Sequence, residues 1–80
     1  MNAMSYNRWL SEIIELGVSD DVAVKALNKI WGYNVKEIVP WSSTGRDFTI
    51  YVEFKNGNSM DVVFNLNGGI IRRKLVNKGQ

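Results

Sequence analysis

Apolar residues recur along this chain at two periods, first every three or four positions and then every second one. Tyr6, Trp9, Leu10, Ile13 and Ile14 share one face at helical spacing, and Leu16-Gly17 supplies a stop. Ser19 is suited to cap a second helix, with Asp20 and Asp21 in the first turn where the helix dipole favours negative charge. Val22, Ala23, Ala26, Leu27, Ile30 and Trp31 form its buried stripe, and Gly32 is expected to end it in a left-handed conformation. Asp21 and Lys25, four apart, are expected to face solvent as a favourable pair.

The period then becomes two. In "DFTIYVEFK", residues 47–55, Phe48, Ile50, Val52 and Phe54 alternate with polar neighbours, and Met60, Val62, Phe64 and Leu66 do so in "SMDVVFNL". A two-residue Asn56-Gly57 loop between them would set one strand's apolar residues against the other's polar ones. A three-residue loop, Lys55-Asn56-Gly57 with Gly57 left-handed, repairs this. It predicts the pairs Val52–Met60, Ile50–Val62 and Phe48–Phe64.

A further turn through Asn67-Gly68 would place Ile71 opposite Phe64 and Leu75 opposite Met60, all on the core face. Arg73 would then lean inward opposite Val62, as an edge strand allows. Asp61 and Lys74 would pair across the outer face. In "YNVKEIVPW", residues 33–41, the Val, Ile and Trp content favours an edge strand with Val35, Val39 and Trp41 on one side. The alternative is a short helix capped by Asn34. "WSSTGRD", residues 41–47, reads as the longest loop.

The fold class expected is therefore α+β: two N-terminal helices packed on one face of a three- to four-stranded antiparallel β-meander. Residues 5–32 form the helical part, 33–76 the meander and 77–80 a tail, with 1–4 outside the folded unit. Eighty residues, 45% of them hydrophobic and nine aromatic, suit one small globular domain. The three tryptophans are each expected in the core.

Composition narrows the chemistry. The chain has no histidine and no cysteine, which removes the commonest general base, thiolate metal sites and disulfides. A Ser-Lys dyad using Ser42 or Ser43 has no supporting spacing. Asp20 and Asp21 fit helix capping better than Mg²⁺ binding, and "SSTGR" lacks the spacing of a phosphate-cradling loop. The reading is thus of a protein that is not an enzyme and uses no cofactor or metal. No apolar run reaches membrane-spanning length and the first residues carry no export pattern, so the expected location is cytoplasmic, away from a membrane.

Charge is polarised. Residues 1–21 set four acids against Arg8, whereas residues 22–80 set nine bases against four acids. Trp41 and Arg46 are candidate contacts for a partner because Trp and Arg dominate interface hot spots. Tyr51, Lys55, Arg72 and Lys74 are candidates because they share the outer sheet surface. The same residues with Lys78 could hold phosphates and stack a base. The leading expectation is a small inhibitor or modulator that docks on another protein. Phages and mobile elements encode such proteins against host enzymes or defence nucleases. Nucleic-acid binding is the alternative. The expected state is a monomer or a homodimer through an edge strand.

Three stretches carry resemblances. "GVSDDVAVKALNK", residues 17–29, resembles the turn and second helix of repressor helix-turn-helix segments. That likeness would make Asp20, Asp21, Val24, Lys25 and Asn28 the groove-facing set, which leads with two acids toward phosphates and so disfavours DNA. Residues 19–76 resemble a PepSY-type module, through Ala26-Leu27, "IYVEF" at 50–54 and "VVFNLNGGII" at 62–71. The resemblance implies a helix followed by a meander, and a role in modulating peptidases. Residues 16–39 resemble a ubiquitin-associated domain, which would require a helix at 35–39.

Overall fold

The computed structural model describes residues 3–32 and 34–77. Two helices, α1 (Ala3–Ile14) and α2 (Asp20–Ile30), precede four strands: β1 (Val35–Ser43), β2 (Asp47–Phe54), β3 (Asn58–Asn65) and β4 (Ile70–Asn77). The strands form one antiparallel sheet in the order β1-β2-β3-β4. This is the α+β arrangement expected from the two periods.

Local chemistry accounts for most boundaries. Helix α1 stops at Gly17, whose φ of +94° is open to glycine at little cost. Ser19 caps α2 by accepting a hydrogen bond from the Val22 amide, with Asp20 and Asp21 in the first turn. Gly32 does not take the left-handed role: α2 ends through Trp31, in an extended conformation with its amide donated to the Leu27 carbonyl. The ion pairs of the described residues join Arg8 to Glu12 and to Glu37, not Asp21 to Lys25 or Asp61 to Lys74.

The core lies between the helices and one face of the sheet. It joins Trp9, Ile13, Ala23, Ala26, Leu27 and Ile30 to Ile38, Phe48, Ile50, Val52, Val62 and Phe64. Trp31 meets both Tyr6 and Trp9 edge-to-face, with centroids 5.1 Å apart in each pair. The Trp9 indole and the Arg8 guanidinium both donate to the Glu37 carboxylate, which ties α1 to β1.

The β2–β3 hairpin has the register that parity required, with Val52 opposite Met60, Ile50 opposite Val62 and Phe48 opposite Phe64. Its loop is Lys55-Asn56-Gly57, and Gly57 has a φ of +93°. Of residues 33–41, Tyr33 lies outside the described residues and 35–41 belong to β1, which covers 35–43; the helix that a ubiquitin-associated domain needs at 35–39 is absent. Register shifts after Val35 and after Pro40 break the even alternation of β1. Ile38 therefore becomes its fully buried residue, while Val35 half-buries against the core and Val39 and Trp41 stay exposed. Because β1 runs to Ser43, the expected long loop shrinks to Thr44–Arg46, closed by the Thr44 hydroxyl accepting from the Arg46 and Asp47 amides.

The last turn corrects a second expectation. Asn65 Oδ1 accepts from the amides of Asn67 and Gly69, and the Asn65 amide donates to the Gly69 carbonyl. Ile70, not Ile71, then faces Phe64, and a bulge restores Arg73 to Val62, Lys74 to Asp61 and Leu75 to Met60. Ile71 and Leu66, both expected inside, are 53% and 43% exposed. Leu75 keeps its register but is 64% exposed, because the helical layer stops short of β4.

Gly68 seats this turn against α2. Its φ is +86°, and a Cβ there would lie 2.9 Å from the Lys25 Cβ. A left-handed backbone costs an L-residue about 1–2 kcal/mol before any clash. Gly68→Ala is therefore expected to lower unfolding stability by about 2 kcal/mol, measured by urea denaturation. A loss below about 0.5 kcal/mol would show that the turn can move away from α2.

Candidate functional site

The helices cover only one face of the sheet. On the other, the registers align a rung across all four strands: Val39, Tyr51, Asp61 and Lys74. The neighbouring rung carries Thr49, Val63 and Arg72. Alternation in β2 and β3 sends these odd-numbered side chains away from the core, as it sends the even-numbered ones into it.

Trp41 lies in the register shift between Pro40 and Ser42. A bulged residue escapes the strict pleat, so its side chain can be re-aimed. The indole is 60% exposed, which overturns its expected place in the core; Trp9, by contrast, is buried and Trp31 half-buried. Trp41, Val39, Tyr51 and Asp61 line an open cleft of about 320 Å³. That volume is at the lower end for ligand sites and fits one or two amino-acid side chains.

The expected contact residues are only partly assembled here. Trp41 and Tyr51 meet in the cleft. Arg72 and Lys74 lie on the same face, two strands away from Tyr51, and are exposed. Arg46 and Lys55 do not converge with them, because they flank the two ends of β2. A strand of that length separates its ends by about 25 Å. Lys78 lies outside the described residues.

Val39 and Asp61 complete the cleft although neither stood out as a contact residue. Their signal was available in the parity of the two hairpin strands, but only once β1 had been aligned to β2. The polar balance of the face is near neutral: Asp47, Glu53 and Asp61 accompany Arg72 and Lys74 on the outward positions of β2, β3 and β4. Ser59, also on this side, is fully buried. Among the described residues no group of three or more His, Cys, Asp or Glu side chains could hold a metal ion.

Searches of protein-family models, curated proteins and solved structures return no match to this chain. Among the described residues no helix is long and apolar enough to cross a membrane.

Proposed function

We propose that this protein is a non-enzymatic binding module that inhibits or modulates another protein by docking the helix-free sheet face on it. The observation that carries this reading is Trp41, held 60% exposed beside a cleft that contains a second aromatic ring and a carboxylate. Leaving such a ring in water forgoes about 2–4 kcal/mol of burial, which a partner can recover. Trp is also the residue type most enriched among interface hot spots. The four residues that line the cleft include no serine, threonine, cysteine, lysine or histidine to act as a nucleophile. This chemistry supports recognition more than turnover.

Charge discriminates between a protein and a nucleic acid as the bound molecule. A phosphate-tracking groove concentrates cations, whereas here Asp61 sits between the aromatic cleft and the cations of β4. The mixed face suits a protein surface of mixed polarity better. The test is affinity capture from the source cell's lysate with and without nuclease, followed by binding of the purified partner at 50 and 200 mM salt. A stoichiometric protein that survives nuclease and loses little affinity over that range is expected. Recovery of nucleic acid would overturn the reading, as would the roughly tenfold loss that two phosphate contacts predict over the same range.

A further inference from the structure

We infer that the free edge of β4 accepts an acidic, extended segment of a partner protein as a fifth strand. This inference does not rest on the Trp41 cleft. The sheet has two edges, and they differ. Strand β1 is poorly suited to added pairing: Pro40 has no amide hydrogen, and two register shifts interrupt the strand. Strand β4 covers eight residues without proline, and its one irregularity lies near its start, by Ile71. From Ile71 to Leu75 every side chain is exposed, on both faces, because the helical layer ends before this strand. An edge of this kind is a template for another chain.

The charges select what can pair there. Arg72, Arg73 and Lys74 are consecutive, so both faces of the edge carry cations. A second copy added antiparallel about Arg73 would set Arg73 against Arg73 and Arg72 against Lys74. A one-residue slip or a parallel alignment also brings cations together. Like charges directly across strands are destabilising, so the edge is guarded against its own copy. An incoming strand with acids at these rungs converts each repulsion into attraction. Apolar residues flanking those acids would cover Leu75 and Ile71, which are 64% and 53% exposed. The occupant is therefore an acidic-apolar strand rather than a second protomer.

The test uses the full chain with three synthetic peptides: one alternating glutamate with valine, one alternating lysine with valine, and the glutamate peptide with the backbone amides of both edges methylated. Affinity is read by fluorescence anisotropy and location by amide chemical shifts. The glutamate peptide is expected to bind, to shift amides of residues 70–77, and to slow their hydrogen exchange. The lysine peptide should bind at least tenfold more weakly, and so should the methylated one. Replacing Arg72 and Arg73 together by glutamate spares Lys74 opposite Asp61 and should reverse the preference between the two charged peptides. Trp41→Ala should leave the peptide affinity unchanged.

No binding at millimolar peptide would overturn the inference. So would equal binding of the methylated peptide, shifts confined to β1 or the cleft, or a homodimer joined through β4. A loss of peptide binding on Trp41→Ala would also overturn it, by moving the peptide to the cleft.

Discussion

Trp41→Ala is expected to weaken partner binding by at least about 2 kcal/mol, close to 30-fold, while leaving the fold intact. The two halves of this expectation have separate causes. In the free protein the indole is 60% exposed and lies outside the core, so its removal deletes little internal contact. Exposed substitutions of that kind change stability by roughly 0.5 kcal/mol. In a complex the same ring would fill the space beside Val39 and Tyr51, and truncation would leave a hole at the centre of the interface. Titration calorimetry against the captured partner, paired with a thermal melt, separates the two effects. If binding is unchanged while the melt is unchanged, Trp41 is not the anchor. Tyr51 cannot replace it as a probe, because it is half-buried in the middle of the sheet.

The largest effect on stability is expected at Phe64. Phe64 and Phe48 are both fully buried, face each other across β2 and β3, and stack with centroids 5.2 Å apart and planes 15° from parallel. Phe64→Ala removes one ring of that pair from the centre of the core. Buried Phe-to-Ala changes cost about 3–5 kcal/mol, through lost burial and the cavity left behind. Domains this small have stabilities on the order of 5–10 kcal/mol, so the variant should be partly unfolded at physiological temperature. A melting point lowered by more than about 10 °C is expected in a circular-dichroism scan. A shift of only a few degrees would mean that Phe48 and the helices close over the gap. Phe64→Leu should recover much of the loss, because it keeps most of the apolar volume.

Much of the fold was legible because two periods and one parity argument leave few arrangements. The β2–β3 register followed from the requirement that Phe48, Ile50 and Val52 share a face with Phe64, Val62 and Met60. What escaped were places where one residue is added to a strand. The shift at Trp41 turned an expected core side chain outward, and the shift at Ile71 exchanged it for Ile70. Neither irregularity has a sequence signal of its own. The first lies beside a proline, the second follows an asparagine whose side chain closes the turn, and both effects emerge only when strands are paired. Gly32 misled for a related reason: a glycine after a helix permits a left-handed end without requiring one, and here Trp31 already leaves the helix in an extended conformation.

The candidate site was less legible than the fold. Trp41, Tyr51, Arg72 and Lys74 reach one face, but Arg46 and Lys55 do not join them. Residue type nominated Trp41 and Arg46 and an expected shared sheet face nominated the other four, whereas convergence depends on where each falls along β2 and its neighbours. Turn positions such as Arg46 and Lys55 lie at the ends of strands, and an open sheet keeps its two ends apart.

Gly68 pressed against Lys25 also has a kinetic meaning. The two residues are separated by more than half the chain, so this contact cannot form while the helices wait alone. Closing a loop of that length costs entropy before any burial repays it, and non-local closures of this kind slow folding. During synthesis the second helix emerges long before the turn that seats on it. Its first turns remain uncovered until the chain through Gly68 has been made. The turn after β3 is therefore the latch over the start of α2, and a chain stalled before it would leave that end of the helix uncovered.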